Sequence, residues 1–389
     1  MKKLNAILNN SASRPRVRVA LQPDGIQVGS LVALHVVNNN FYEADTFEIR
    51  ATLSGQPFPR NSEAWWLSNP EIALTVDAAK SPTGPWKTLI YGRVDDAVID
   101  PVADEIILSG RDLTGLLIDS RISGDVMGQM QNLSASQIVT ALMAPFSSWF
   151  SGNSITATSG GVGGYYAGNF LTLFRNRSVW DVITWLAQTN VDNSGNPAPF
   201  VAYVKGNSLT WGPQPEPTGY FLIDWKKKIG SPAANVISLD IAHNLTLAKD
   251  IAVTVMGFNP ALGRYTSTAS GKHNQGHTGG GSFSQSLYSS VGYQHFVYVM
   301  NGITPVQAQQ LAQSKARELS KHEYILRSTL PGDLALDPGQ LVRLEGLTFA
   351  GSTTNDFWPN AVTWRFSLGE GLEMELWCKN HPAAQQVIL

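Results

Sequence analysis

The stretch Asp-Thr-Phe-Glu-Ile-Arg-Ala-Thr-Leu at residues 45–53 alternates between apolar and polar side chains. Every second residue from Phe47 to Leu53 is apolar, and the residues between them, from Glu48 to Thr52, are charged or polar. Successive side chains of a strand point to opposite faces of its sheet. The alternation therefore predicts a β-strand that buries one face in a hydrophobic core and leaves the other face to solvent.

Similar runs surround this stretch in the first part of the chain. They cover residues 17–21, 29–37, 72–76, 86–94, 96–99 and 105–110. Clusters of Pro, Gly, Asn and Asp at 22–25, 38–40 and 81–85 separate them and favour turns. Six or seven strands at this spacing, without a convincing long helix, predict a β-barrel or a β-sandwich.

Helical patterns begin in the middle of the chain. Ser134, followed three residues later by Gln137, predicts a capping box at the start of a helix. A second helix is predicted from Ser178, because the apolar residues that follow it recur at helical spacing. Residues 200–204 and 208–211, joined by Gly-Asn, predict a hairpin. We therefore expect a small α/β domain here.

The last part of the chain again shows mainly strand patterns. One helix is predicted over residues 304–322, because Thr304 can cap it and Pro305 suits its first turn. Residues 264–292 are rich in Gly, Ser, Thr and His, which predicts a long flexible loop that a partner would order. The candidate partner-binding residues of that loop are Lys272, His273, His277 and Phe283.

The composition excludes several classes of protein. Only 15% of the 389 residues are charged and the formal net charge is −2, so bulk attraction to nucleic acid or to an acidic membrane is not expected. No apolar run is long enough for a membrane span. The chain is also too apolar and aromatic for intrinsic disorder.

The distribution of charge along the chain predicts three domains, at 1–123, 124–222 and 223–389. Residues 124–222 contain 7 charged and 14 aromatic residues, which distinguishes them from the parts on either side. Interface cores are depleted in charge and enriched in aromatic residues. We therefore expect neighbouring chains to cover much of the middle domain.

A search for catalytic and metal-binding patterns predicts no such site and no cofactor. His273 and His277 have the spacing of two metal ligands on a helix, but glycines surround them and no nearby acid or cysteine completes a site. Glu373 and Glu375 share a strand face, where alternation with apolar residues is more typical of a solvated face than of a hydrolase pair. The single cysteine, Cys378, cannot form an intrachain disulfide.

One segment is more specific than these. It reads Ile-Ile-Leu-Ser-Gly-Arg-Asp-Leu-Thr-Gly-Leu-Leu-Ile-Asp-Ser at residues 106–120. In order along the chain, the strand at 89–95, this segment, the helix and strand at 178–187 and 207–212, and the stretch at 331–346 resemble the baseplate hub proteins of contractile-tailed bacteriophages. The similarity is to the hub of Mu-like phages, the late control protein D-like family, and it extends over most of residues 45–346.

The resemblance implies a mainly β fold in which two tail-tube-like β-barrel domains flank a small α/β domain. It implies a homotrimer that adapts a six-fold tail tube to a three-fold central spike, forms part of the DNA channel and is not an enzyme. Its expected partners are the spike protein, the tube protein and neighbouring baseplate proteins, with the tape-measure protein as a further candidate. It would be made in the host cytoplasm and reside in the tail baseplate of the virion, where DNA is met only in transit.

The resemblance also identifies a structural motif, for which we expect a paired or backbone-capping turn rather than a ligand site. Its residues are Gly110, Arg111, Asp112 and Asp119. Two other interpretations of the chain stay open. One is a tail-associated cell-wall hydrolase, and the other is the hub of a related contractile injection particle.

Overall fold

The structure is a computed structural model, and it describes most of the chain. The described residues are 16–22, 24–69, 71–80, 84–123, 130, 133–158, 176–188, 190, 200–223, 236–243, 251–259, 263–271, 294–299, 305–320, 324–336, 339–344 and 356–379. Strands dominate, as the sequence predicted. No helix within these ranges is long and apolar enough to cross a membrane.

The first part of the chain forms six strands and two short helices. They are β1 (Arg16–Gln22), β2 (Leu31–Asn39), β3 (Thr46–Thr52), α1 (Glu63–Ser68), β4 (Ala73–Ala79), β5 (Lys87–Asp100), β6 (Glu105–Asp112) and α2 (Thr114–Asp119). The stretch at 45–53 is β3, with Phe47, Ile49 and Ala51 buried. The runs predicted at 86–94 and 96–99 form the single strand β5, whose register shifts between Val94 and Asp96.

The middle part contains two longer helices and a hairpin. Its elements are α3 (Ala135–Met143), a 3₁₀ turn (Ala144–Phe146), β7 (Ser154–Ile155), α4 (Val179–Gln188), β8 (Phe200–Lys205), β9 (Ser208–Pro213) and β10 (Tyr220–Ile223). The predicted capping box is confirmed, since the Ser134 hydroxyl accepts from the Gln137 backbone and the Gln137 side chain accepts from the Ser134 backbone. The hairpin of β8 and β9 is confirmed as well.

The last part contains eight strands and one helix. They are β11 (Ser238–His243), β12 (Ile251–Asn259), β13 (Gly263–Gly271), β14 (Gln294–Val299), α5 (Pro305–Ser320), β15 (Tyr324–Pro331), β16 (Leu341–Leu344), β17 (Asp356–Ser367) and β18 (Gly371–Lys379). The predicted loop at 264–292 needs a correction at its start. Residues 264–271 belong to β13, which pairs with β12 along its whole length.

A twelve-stranded sheet joins the first and last parts of the chain. Ten strands follow one path in the order β1-β4-β5-β6-β3-β2-β17-β18-β15-β11. The other two lie off this path, where β16 pairs with β17 and β10 pairs with β16. The join is the antiparallel pair of β2 and β17, in which Asn39 lies opposite Ala361 and Ala33 lies opposite Ser367. Among the described strands this path has two ends, β1 and β11, so barrel closure stays a prediction.

The hydrophobic residues form two cores. The first lies against the long sheet and contains residues of both flanking parts, such as Ile49 and Leu108 from the first and Met374 from the last. The second contains α2, α3 and α4 together with β8 and β9, and it also takes in Val253 of β12 and Ala312 of α5. The packing thus groups β12 and α5 with the middle of the chain, across the predicted boundary at 222.

The aromatic residues of the middle part pack inside this chain, which makes the predicted interface role wrong for those that the structure describes. Trp180, Trp185 and Trp211 are each at most 4% exposed. Phe146, Trp149 and Tyr203 are half-buried against the second core. Tyr220 is the most exposed of the described set at 38%, and the Arg343 guanidinium lies over its ring. Their enrichment therefore reflects an internal aromatic core.

Candidate functional site

The Gly-Arg-Asp motif lies where β6 leaves the long sheet and enters α2. Gly110 sits opposite Val94 of β5, and the ring of Phe47 packs beneath it. A Cβ on Gly110 would lie 2.1 Å from the carbonyl oxygen of Arg93 and 2.7 Å from the Phe47 ring. Only a hydrogen atom fits in this space, so the glycine is required by the close approach of the two strands.

Arg111 forms the centre of an ionic cluster at the surface of this junction. Its Nε donates to Asp95 Oδ2 at 2.6 Å, and its two terminal nitrogens donate to the carboxylate of Asp119 at 3.1 and 2.8 Å. These hydrogen bonds, to Asp95 first and Asp119 second, raise the pKa of Arg111 above its ordinary value. Arg93 approaches both acids at 3.4 and 3.3 Å. The charges of the two arginines and the two aspartates cancel, and their contacts hold β5, β6 and α2 together. We call these four residues the brace.

Asp112, which is buried, and Asp45, which is half-buried, form a pair of acids behind this brace. Asp112 accepts hydrogen bonds from the backbone and hydroxyl of Thr114, both at 3.1 Å, and so holds the first turn of α2. Asp45 accepts from the Asn39 backbone at 2.7 Å and the Asn38 side chain at 2.9 Å. The Asp112 backbone donates to the Asp45 carbonyl oxygen at 2.9 Å, which ties the two turns together.

Burial raises the pKa of both acids. The pKa of Asp45 rises to about 6, because burial outweighs its hydrogen bonds from Asn38 and Asn39. The pKa of Asp112 rises well above its ordinary value, first through burial and then through the charge of Asp45. Ionised carboxylates are costly in such surroundings unless they are paired with a cation. The junction is therefore more stable when these acids hold their protons.

Tyr42 connects the long sheet to the second core. It lies in the turn between β2 and β3 in a left-handed conformation, with a φ of 68°. Its hydroxyl donates to the Phe200 carbonyl oxygen at 2.7 Å, and its own carbonyl oxygen accepts from Trp180 Nε1 at 2.8 Å. Its backbone nitrogen donates to Ala202 at 3.0 Å. We call α3, α4, α5, the β7-β9-β8 sheet and the β13-β12-β14 sheet the α/β unit. The bonds of Tyr42 attach this unit to the end of the long sheet that also carries α2.

One face of the long sheet is polar across both flanking parts. The strand registers align a row of side chains that runs from Asp96 through Ser109, Glu48, His35 and Arg365 to Glu373. Within and beside this row, the cations are paired with acids. Arg50 lies 3.0 Å from Glu48, and Arg365 lies 2.9 Å from Glu375. Partial burial, followed by the charge of Arg365, lowers the pKa of His35, so this histidine is uncharged at neutral pH.

The structure describes only some of the remaining residues that the sequence singled out. Lys272, His273, His277 and Phe283 lie outside the described residues. Cys378 is fully buried, and burial raises the pKa of its thiol. No three His, Cys, Asp or Glu side chains among the described residues are arranged to hold a metal ion.

The sequence did not single out several members of the brace and its neighbourhood, among them Arg93, Asp95 and Tyr42. The turn at 101–104 would have placed Arg93 opposite Asp112 in an unbroken hairpin. The register shift near Asp95 moves Arg93 opposite Arg111 instead. Pairing β5 and β6 residue by residue from this turn would have placed Arg93 and Arg111 near each other. It would have missed their register by one residue. No local pattern marks Tyr42, because its partners lie more than a hundred residues away in sequence.

Comparisons with known proteins find similarity in structure alone. No protein-family model matches this chain, and no curated protein matches its sequence. The tail protein from Neisseria meningitidis MC58 is similar in structure with a TM-score of 0.62 and 14% identity, over 94% of this chain and 96% of that one. The chain has the fold of this tail protein. The 43 kDa tail protein of prophage MuSo2 from Shewanella oneidensis is also similar, with a TM-score of 0.59 and 13% identity, over 94% and 96% of the two chains.

A type VI secretion protein shares the fold less closely. A component of this system from E. coli has a TM-score of 0.50 and 12% identity, and the match covers 95% of this chain and 80% of that one. Its published description notes structural similarity to the tail proteins gp27 and gp5 of bacteriophage T4. The fold of this chain thus occurs both in phage tails and in a secretion system.

Proposed function

We propose that this chain is a structural hub of a phage tail baseplate. In this proposal three copies form a ring that meets a six-fold tail tube on one side and a three-fold central spike on the other. The observation that carries it is the end-to-end match to the Neisseria tail protein, which covers 94% of this chain and 96% of that one. A match of this extent leaves no large part of either chain unaccounted for.

The polar sheet face is a suitable lining for the DNA channel of such a ring. It runs across both flanking parts without interruption, because β2 and β17 pair directly. Lysine and arginine side chains bind DNA by neutralising phosphates, and each such contact adds to the affinity. Since Arg50 and Arg365 are each paired with an acid and His35 is uncharged at neutral pH, this face would let DNA slide past.

Mass measurement in the presence of the partners tests this proposal. Light scattering of the full chain mixed with the spike protein of the same particle should give a mass of three copies of each. A low-resolution image of the particle should show a three-fold ring whose tube-facing side approximates six-fold symmetry. A chain that stays monomeric and binds neither spike nor tube would contradict the proposal.

A related contractile injection particle is the second candidate. It is favoured by the shared fold with the type VI secretion component from E. coli. Both candidates predict a trimeric hub, and they differ in what passes through it. Particles purified with this chain would contain DNA in the first case and none in the second.

A cell-wall hydrolase remains the alternative from another class of protein. We propose a structural role instead, and a zymogram with peptidoglycan tests the choice. The full chain should leave no cleared band, whereas lysozyme on the same gel should leave one. Clearing by the purified chain would revive the hydrolase interpretation.

A further inference from the structure

The two ends of the long sheet are built differently, and the strand registers identify them. Across the sheet, Ile107 of β6, Arg50 of β3, Ala33 of β2 and Ser367 of β17 stand in one row. Past this row, at the same end of the strands, lie two turns. One joins β5 to β6 at residues 101–104, and the other joins β17 to β18 at residues 368–370. Two hairpin tips, one from the first part and one from the last, therefore lie at one end of the sheet.

The two tips share a construction. In the first, the Asp100 carboxylate accepts hydrogen bonds from the backbone of Val102 and Ala103, both at 2.9 Å. In the second, the Ser367 hydroxyl accepts from the Glu370 backbone at 3.2 Å. A side chain at the end of the outgoing strand thus fixes each turn, as is common for Asp and Ser.

Each tip also ends on a left-handed residue before the returning strand continues. These residues are Asp104, with a φ of 55°, and Gly371, with a φ of 86°. Asp104 is held in place by the Ser54 backbone, which donates to its carboxylate at 2.7 Å. The backbones of both turns are therefore constrained, and neither tip needs an outside partner to keep its shape.

Each constrained tip exposes one aliphatic side chain. Val102 is 98% exposed and Leu368 is 67% exposed. Leu368 lies beside Val32, which is itself 36% exposed, because its backbone donates to the Val32 carbonyl oxygen. Single exposed aliphatic residues are ordinary on protein surfaces. Here both lie on hairpin tips at the same end of the sheet, Val102 two positions after Asp100 and Leu368 one position after Ser367, which makes them a paired feature of that end.

The opposite end of the sheet carries a unit that has no second copy among the described residues. There the turn of Tyr42 and the helix α2 pack into the second core, and α5 leads back into β15. Three copies of the chain would present six hairpin tips at one end of a ring and three α/β units at the other. A partner with six-fold symmetry requires six equivalent contacts, and a three-fold partner requires three.

We infer that Val102 and Leu368 form the surface through which the hub docks on the end of the tail tube. This inference rests on the proposed function and adds which end of the sheet faces the tube and which residues touch it. The six aliphatic tips of a trimer bury themselves against apolar positions on the six tube subunits. The α/β units then face the spike.

Two matched double variants of the full chain test the assignment. One replaces the tips, as Val102→Asp with Leu368→Asp. The control places the same charge at exposed valines of β14 in the α/β unit, as Val297→Asp with Val299→Asp; these residues are 52% and 68% exposed. The probe is the major tube protein of the same particle, immobilised as preformed rings. Binding is measured by interferometry, and the mass of each variant is measured by light scattering at the same concentration.

The tip variant should keep the trimer mass and bind the rings at least about tenfold more weakly, because apolar burial is replaced by a desolvated charge at six points. The β14 variant should bind as the wild type does. Loss of binding in the β14 variant alone, or equal binding in all three proteins, would overturn the assignment while leaving the hub intact. A wild type that forms no trimer would instead remove the proposed function, and the docking assignment with it.

Folding of the variants is checked by their thermal transitions, which should coincide because all four positions are exposed. If the aspartates shift the transition, Val102→Ser with Leu368→Ser removes the aliphatic groups without adding charge. That pair should still weaken ring binding by about tenfold. Undiminished binding by a folded serine pair would refute the role of the tips.

Discussion

Asp45 makes the stability of the junction depend on pH in a way that one substitution isolates. Its carboxyl has a pKa of about 6 in the folded chain, against an ordinary value of 3.8. One pKa unit corresponds to about 1.4 kcal/mol, so the shift of roughly two units corresponds to about 3 kcal/mol. A carboxyl with a raised folded pKa stabilises the fold fully below about pH 4, and this stabilisation is lost as the pH rises through about 6.

The variant Asp45→Asn cannot ionise, so it should lack this dependence. Its amide can accept only through one oxygen, whereas Asn38 and the Asn39 backbone both donate to the native carboxylate. We expect the lost hydrogen bond to cost about 1 kcal/mol at every pH. The variant should therefore be about 1 kcal/mol less stable than the wild type at pH 4 and about 2 kcal/mol more stable at pH 8.

Urea unfolding at intervals from pH 4 to pH 8 measures this crossing. Asp112 contributes a slope of the same sign in the wild type. Removing the charge of Asp45 weakens that slope as well, because this charge helps to raise the pKa of Asp112. Asp104→Asn is the matched control, since hydrogen bonds from Ser54 lower the pKa of Asp104. Its substitution should reduce stability by nearly the same amount from pH 5 to pH 8, because the lowered pKa of Asp104 lies below this range. An Asp45→Asn variant with the slope of the wild type would refute the argument from burial.

Three further predictions concern other contacts. Gly110→Ala should destabilise the chain by about 2 kcal/mol in urea unfolding, because its Cβ would meet a carbonyl oxygen at 2.1 Å. Tyr42→Phe removes a buried 2.7 Å hydrogen bond to β8 and should cost about 1–2 kcal/mol of unfolding free energy in the same assay. Unchanged stability would mean that water replaces the lost hydroxyl. Glu48→Gln combined with Glu375→Gln frees two arginines on the polar face; filter binding should show tighter DNA binding and a salt dependence steeper by about one unit per arginine.

The sequence predicted most strands of the long sheet because their cause is local. An alternating strand such as β3 buries every second residue whatever its neighbours are, so the pattern survives without knowledge of the partner strands. The capping box at Ser134 was equally predictable, since both of its hydrogen bonds lie within four residues. The sequence does not predict the helix α2, because its six residues are too few for a periodic pattern.

The pairing of distant strands was not predictable in the same way. Nothing in β2 or β17 specifies the other, because many half-buried strands present the same backbone groups and the same alternation. The grouping of β12 and α5 with the middle of the chain has a similar origin. Val253 and Ala312 are ordinary core residues, and only the folded chain decides which core they enter. The acids Asp45 and Asp112 also acquire their raised pKa from contacts that no local pattern reveals.

The low charge of the chain has a different explanation from the one that composition suggested. Most of the described aromatic residues of the middle part fill an internal core of helices and a hairpin, and this core excludes charge for the same reason that an interface would. Several of the charges that remain on the long sheet are matched there, as with Arg50 and Glu48 or Arg365 and Glu375. Pairing on a polar face removes attraction for phosphate without removing the polar groups that keep the face hydrated. In the proposed function, such a face would let DNA pass without binding it, whereas a charge-free apolar face would bind apolar partners.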